Sequence, residues 1–129
     1  MYLKRGLFLI ITFVLFISCE PKDSGTRQPC NSDNPLEDIS WLKEKKHYLE
    51  INMGLAGWQI VRYKYKGNYV FWIDPCYKCA DNLITVYNCN GEVICEFGGI
   101  DGRNTCINFE TEATDSTMLI DNVQHKSAE

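Results

Sequence analysis

Seven cysteines are the residues of this sequence whose type and spacing could support chemistry. Cysteines can form structural disulfides, exchange disulfides with other thiols, or bind zinc. Cys76 and Cys79 have the two-residue spacing of redox motifs, and Lys78 between them would favour a thiolate. Together with Cys89 and Cys95 they could also form a zinc quartet, although only the first pair has the usual spacing. The full set is Cys19, Cys30, Cys76, Cys79, Cys89, Cys95 and Cys106.

A structural disulfide framework is the interpretation that we favour for six of the seven cysteines. The sequence around Cys76 and Cys79 does not indicate the βαβ setting of a thioredoxin-like site. Cys89 and Cys95 flank a predicted turn and fall on opposite faces of one hairpin, which does not suit one zinc ion. Six is an even number, as expected for an exported domain with a small core. Cys19 then needs a separate explanation.

The segment before Cys19 supplies that explanation. A Lys4-Arg5 pair is followed by an apolar run over residues 7–17 and then by Ser18-Cys19. This is the pattern of a secretory signal, and it is shorter than the roughly 20 apolar residues of a membrane span. The residues that end in Ser18-Cys19 resemble the lipobox of bacterial lipoproteins. The resemblance implies cleavage before Cys19 and acylation of Cys19, and two or three acyl chains would anchor the protein firmly in a membrane.

The rest of the chain divides into a tether, one domain and a tail. We expect a signal peptide over residues 1–18, a flexible polar tether over 19–34, a single domain over 35–120 and a frayed tail over 121–129. The predicted location is the bacterial cell envelope, outside the cytoplasm and on the outer membrane. The formal charge of −4 becomes −6 once Lys4 and Arg5 are removed. An acidic surface argues against nucleic acid as a partner.

The remaining pattern predicts one helix followed by four strands. Asn34 and Glu37 form a capping box around Pro35, and Gly54 ends the helix predicted over residues 36–53. Strands are predicted over 58–66, 69–74, 83–89 and 92–97, with hairpin turns at 67–68 and 90–91. Residues 106–120 leave room for one more short strand. The predicted class is α+β, with an N-terminal helix packed on a four-stranded antiparallel meander and stapled by disulfides.

This topology narrows the possible disulfide pairings. In a meander the turns at 67–68 and 90–91 lie at the same end of the sheet as the start of the helix. Cys30 and Cys89 can meet there, and we predict a bond between them. The loops that carry Cys76, Cys79 and Cys106 lie at the other end, and the pairing among the remaining four cysteines is left open.

Several segments carry a wider resemblance: Cys30, residues 34–43, residues 65–67 followed by Val70-Phe71, residues 87–95, and Gly98-Gly99 ahead of Cys106. Over roughly residues 30–107 they resemble a family of small Bacteroidota lipoproteins that share a domain of unknown function. The resemblance implies an envelope lipoprotein and assigns no activity.

No arrangement of residues indicates catalysis, because a Gly-x-Ser-x-Gly turn, a phosphate loop and a metalloprotease helix are all missing from the sequence. We therefore expect no enzyme activity, no cofactor and no metal. The strands are rich in aromatic residues, and one face of the sheet must pack against the helix. The possible binding face is the other one, an open aromatic and basic surface formed by Arg62, Lys64, Phe71 and Ile73. Alternatively, the rings complete the core.

The sequence thus predicts a membrane-anchored envelope lipoprotein that binds a protein or a glycan. One alternative is a thiol–disulfide or zinc protein that uses Cys76 and Cys79. Another is an inhibitor-like or structural component of the envelope.

Overall fold

A computed structural model describes residues 30–122 of the chain. The signal segment, Cys19 and residues 123–129 lie outside this range, and so do the predictions made for them. The described helices are α1 (Pro35–Asp38), α2 (Ser40–Asn52), a 3₁₀-helix (Gly54–Ala56) and α3 (Phe109–Glu112). The described strands are β1 (Gln59–Tyr65), β2 (Asn68–Asp74), β3 (Leu83–Tyr87), β4 (Val93–Gly98), β5 (Arg103–Asn104) and β6 (Thr114–Asp121).

The strands form one antiparallel sheet in the order β5-β4-β3-β2-β1-β6. The predicted α+β arrangement, a helix on a four-stranded meander, is therefore wrong: the protein is mostly a six-stranded sheet with a few short helices. The last strand, β6, returns to pair with β1, and its register shifts twice along that pairing. The short strand β5 extends the other edge by pairing with β4.

The helix predicted over residues 36–53 is divided at Ile39. This residue is extended (φ −102°, ψ 106°) and fully buried, so the chain straightens where it delivers an apolar side chain to the core. The predicted capping box is absent, because the Asn34 side chain makes no cap hydrogen bond. Glu37 instead pairs with Lys43, whose ammonium lies 2.6 Å from the carboxylate and lowers the pKa of Glu37.

The core has two parts, one on each face of the sheet. The helix-side core joins residues before and within α2 to the sheet; it comprises Ile39, Leu42, Leu49, Trp58, Ile60, Phe71 and Ile73. The Phe109-side core lies beneath the segment that contains α3; it comprises Val70, Val86, Cys95, Cys106 and Phe109. Burial of these side chains removes apolar surface from water on both faces, which is the main favourable contribution to folding.

The first hairpin turns one residue earlier than predicted. Lys66 and Gly67 occupy the turn, both with positive φ (50° and 82°), as in the tight turns that suit twisted hairpins. The strand register therefore moves by two residues relative to the prediction, and Tyr63 lies opposite Val70. A shift of two residues keeps every side chain on its predicted face of the sheet, because side chains alternate with a period of two.

Candidate functional site

The six cysteines within residues 30–122 form three disulfides. They are Cys30–Cys89, Cys76–Cys79 and Cys95–Cys106, with Cα–Cα distances of 5.6, 5.3 and 5.2 Å. The predicted Cys30–Cys89 pair is thus present in the structure, and the other four cysteines pair within the region from residue 76 to residue 106. The alternative of a zinc quartet is wrong, because its four cysteines are divided among these three bonds.

The predicted open binding face is wrong. Phe71 and Ile73 are 0% and 3% exposed and belong to the helix-side core. Arg62 is half-buried on the same face; its Nη1 donates a hydrogen bond to the Ser32 carbonyl at 2.8 Å. Of the four residues predicted for this face, only Lys64 is exposed. The basic residues made this face look solvated, yet it is the face that packs against the helices.

Residues 30–34, the part of the predicted tether that the structure describes, contact the rest of the domain. Cys30 is held by its disulfide with Cys89, and Ser32 accepts the hydrogen bond from Arg62. At the other terminus, Asp121 pairs with Gln59 within the sheet. Residues on both sides of the predicted range of 35–120 thus contact the domain.

An open cleft lies at the end of the sheet where the Cys30–Cys89 bond is found. Its volume is about 800 Å³. The β1–β2 hairpin and the loop between β3 and β4 line it, together with Ile94 of β4. Four carboxamides and two phenol rings contribute to its lining: Asn31, Asn68, Asn88, Asn90, Tyr65 and Tyr69. We call this feature the asparagine–tyrosine cleft.

Side-chain hydrogen bonds hold the wall of this cleft in place. The Asn88 Oδ1 accepts from the backbone N–H groups of Asn90 (2.9 Å) and Glu92 (3.0 Å). Its Nδ2 donates to the Glu92 carboxylate at 2.6 Å. On the helix side, the Trp41 indole N–H donates to the Cys89 carbonyl at 2.8 Å. The loop is therefore fixed from both sides before any ligand arrives.

Two asparagines remain available for a ligand. Within the described range, the side chains of Asn31 and Asn90 are exposed and make no hydrogen bond to the protein. A carboxamide both donates and accepts hydrogen bonds, so each can bind a hydroxyl in either direction. These groups are the polar contacts that the cleft offers.

Cations border both tyrosines of the cleft. The Lys66 ammonium lies 5.0 Å from the centre of the Tyr65 ring, and the Arg62 guanidinium lies 5.0 Å from that of Tyr69. The Tyr65 hydroxyl and the Glu112 carboxylate raise the pKa of Lys66. Tyr65 also packs on Phe109, with ring centroids 5.1 Å apart, whereas Tyr69 makes no ring–ring contact in the described residues. Tyr69 is therefore the ring that is freer to contact a ligand.

The opposite end of the sheet is organised around a buried carboxylate. Asp74 is 3% exposed, and its Oδ1 accepts hydrogen bonds from the Cys76 backbone N–H (3.1 Å) and from the Asn82 Nδ2 (2.7 Å). Its Oδ2 lies 3.5 Å from the Gln59 amide nitrogen. These contacts position the loop that carries Cys76 and Cys79. The sequence signal for this role is an Asp-Pro pair at the end of a strand.

Sequence reasoning also missed the asparagine–tyrosine cleft. The available signal was the presence of asparagine at both predicted turns, which was used only to place the hairpins. No group of three or more metal-binding side chains occurs among residues 30–122. In the same range, none of the helices has the length and hydrophobicity to cross a bilayer.

These features define a small disulfide-bonded domain built mainly of one antiparallel sheet, with a polar and aromatic cleft at one end. A family model described as a domain of unknown function, DUF6970, matches residues 50–122. The chain therefore belongs to the DUF6970 family. The match confirms a domain of unknown function, but it begins at residue 50 and not at residue 30. No curated protein and no solved structure matches the chain.

Proposed function

We propose that the protein is a lipid-anchored protein of the bacterial envelope whose asparagine–tyrosine cleft binds a glycan. The observation that carries this proposal is the combination, in one open cleft, of an available tyrosine ring with carboxamides that make no internal hydrogen bond. A sugar ring presents apolar C–H groups that pack on an aromatic face. Its hydroxyls donate and accept hydrogen bonds, as carboxamides do.

The dimensions of the cleft favour a glycan over a protein partner. A volume of about 800 Å³ lies within the range of about 300–1,000 Å³ that is typical of sites for small ligands. A stable protein interface would instead need roughly 800 Å² of buried surface on each partner. The wall fixed by Asn88 and Trp41 lowers the entropic cost of binding, because little of it must become ordered.

The proposed membrane anchor would favour the same ligand class. Cys19, the proposed lipid attachment site, precedes Cys30 by eleven residues. A fully extended chain of that length reaches at most about 40 Å. Because Cys30 lines the cleft, the cleft would stay within that distance of the membrane surface, where envelope polysaccharides are present.

Binding of defined oligosaccharides tests the proposal. The probes are peptidoglycan fragments and core oligosaccharides of lipopolysaccharide, titrated into the purified mature protein by calorimetry. Tyr69→Ala should weaken binding about tenfold or more through loss of ring contact, and Asn90→Ala about three- to tenfold through loss of a hydrogen bond. Tyr77→Ala is the matched control, because Tyr77 is an exposed tyrosine at the opposite end of the sheet.

Two results would contradict the proposal. If Tyr69→Ala and Asn90→Ala bind the oligosaccharides as tightly as Tyr77→Ala does, the cleft is not the binding site. If only a protein partner is captured, and its capture depends on these residues, the ligand class is wrong. The anchor is tested separately by mass spectrometry of the mature protein, where an unmodified Cys19 would refute lipidation.

A further inference from the structure

Exposure distinguishes one cysteine from the other five in residues 30–122. Cys79 is exposed, whereas its partner Cys76 is 3% exposed. Cys95 and Cys106 are each 5% exposed, and the Cys30–Cys89 pair is half-buried. A thiolate must reach a sulfur atom before it can open a disulfide, so access favours attack on Cys79.

The length of the closed loop also distinguishes the Cys76–Cys79 bond from the other two disulfides. Cys76 and Cys79 are separated by 3 positions, compared with 11 for Cys95–Cys106 and 59 for Cys30–Cys89. In the chain-entropy account, a bond that closes a shorter loop restrains the unfolded chain less and stabilises the fold less. Opening the Cys76–Cys79 bond should therefore reduce the stability of the fold less than opening either of the other two disulfides.

The loop keeps its position through contacts other than the disulfide. The Asp74 carboxylate accepts the Cys76 N–H, and the Tyr77 N–H donates to the Gly57 carbonyl at 2.8 Å. Two thiols would thus remain close enough for the bond to form again. Lys78 is exposed and carries a positive charge next to Cys79, which stabilises a thiolate there.

We propose that Cys76–Cys79 is a redox-active disulfide that accepts two electrons from a dithiol. A thiolate of the dithiol attacks the Cys79 Sγ, the Cys76–Cys79 bond breaks, and Cys76 leaves as a thiolate that takes up a proton. The second thiol of the reductant loses its proton and attacks the reductant's sulfur in the mixed disulfide, which releases Cys79. The dithiol becomes a disulfide, and Cys76 and Cys79 become two thiols.

Titration of the full chain with dithiothreitol tests this assignment. Free thiols are alkylated at each reductant concentration under native conditions, and the alkylated positions are mapped by mass spectrometry. Cys76–Cys79 should reach half-reduction at a dithiothreitol concentration about tenfold or more below that of the other two bonds. Reduction of Cys30–Cys89 or Cys95–Cys106 at the same or a lower concentration would overturn the proposal.

A matched pair of variants tests whether the incoming thiolate attacks Cys79 and not Cys76. Cys76→Ser leaves the exposed Cys79 free, and it should form a mixed disulfide with oxidised glutathione at least about tenfold faster than Cys79→Ser, which leaves the buried Cys76 free. Circular dichroism of both variants and of the double variant C76S/C79S checks that the fold persists. Equal rates in two folded variants would refute attack at Cys79, and the wild-type titration decides the proposal if a variant does not fold.

Discussion

Cys30–Cys89 and Cys76–Cys79 lie at opposite ends of the sheet and restrain very different lengths of chain. The first joins residues 59 positions apart and forms part of a cleft wall; the second joins residues 3 positions apart within one loop. The contents of the two ends differ as well. Exposed carboxamides and a tyrosine ring occupy the first, and a buried carboxylate and an exposed cysteine occupy the second.

The difference shows that the same oxidation chemistry can serve two purposes in one small domain. A long-range bond ties the segment before α1 to the end of β3 and so fixes topology. A short-range bond shapes a loop that hydrogen bonds already hold. Stability should therefore depend strongly on the first bond, and reactivity should be concentrated at the second.

Removing the Cys30–Cys89 or the Cys76–Cys79 disulfide, one at a time, should reveal the largest difference in stability between the two ends. The double variant C30S/C89S should lose about 4 kcal/mol of unfolding free energy and C76S/C79S about 2 kcal/mol, because the loss grows with the length of the closed loop. Urea denaturation under oxidising conditions measures both losses. Equal losses would show that the two ends do not differ in the way that their loop lengths imply.

Replacing a glycine in a crowded position should have an effect of intermediate size on stability. Gly98 has a φ of 91°, and an added Cβ would lie 2.3 Å from the Asn82 carbonyl oxygen; Gly67 has a φ of 82° and open space around it. Gly98→Ala should cost about 3 kcal/mol through backbone strain and collision, and Gly67→Ala about 1 kcal/mol through strain alone. Thermal melts of both variants compare the two ends. A larger loss for Gly67→Ala would contradict the close packing of the loops at the Cys76–Cys79 end.

The smallest expected effect on stability comes from an ion pair at the Cys76–Cys79 end of the sheet. Arg103 lies 3.1 Å from Asp101 and 2.7 Å from Glu96, and its guanidinium lowers the pKa of Asp101 below the usual 3.8. Because the pKa of Asp101 is lowered by folding, the ion pair stabilises the fold when the pH is above the usual pKa of an aspartate. This contribution is lost as the pH falls through the lowered pKa of the folded state. Asp101→Asn should slightly lower the melting temperature at pH 7 and low salt, and leave it unchanged in strong acid.

Asp81→Asn is the matched control for this small effect. Asp81 is an exposed aspartate at the same end, and it makes no hydrogen bond or ion pair within residues 30–122. Its replacement should leave the melting temperature unchanged at both pH values. A shift of the same size for Asp81→Asn would indicate a general effect of net charge on stability.

Local signals in the sequence predicted much of the central sheet. Gly67 and Asn90-Gly91 marked both hairpins, and the period of two correctly grouped the side chains of β1 and β2 that share a face. Long-range pairing could not be predicted in this way. β6 pairs with β1 from fifty or more positions away, most of its residues are exposed, and its register shifts interrupt the pattern. β5 contains only two residues, too few to show a period.

The choice of buried face failed for a different physical reason. Arg62 and Lys64 gave one face a polar composition, yet a long basic side chain can bury its stem and carry its charge to a polar partner. Arg62 does this by donating to the Ser32 carbonyl. Similarly, the asparagines of the cleft were interpreted only as residues that form the hairpin turns. The predicted topology already brought these turns and Cys30 to one end of the sheet, but only the structure shows that they line a cleft there.

The Cys30–Cys89 bond also determines how the domain responds to a mechanical load. Tension applied through the chain before Cys30 enters the domain at this bond and passes to the end of β3, an interior strand of the sheet. The segment between the two cysteines contains both α1 and α2, and the covalent link bypasses it. A pull on the chain before Cys30 therefore has a covalent path to the end of β3 that does not run through the backbone of either helix.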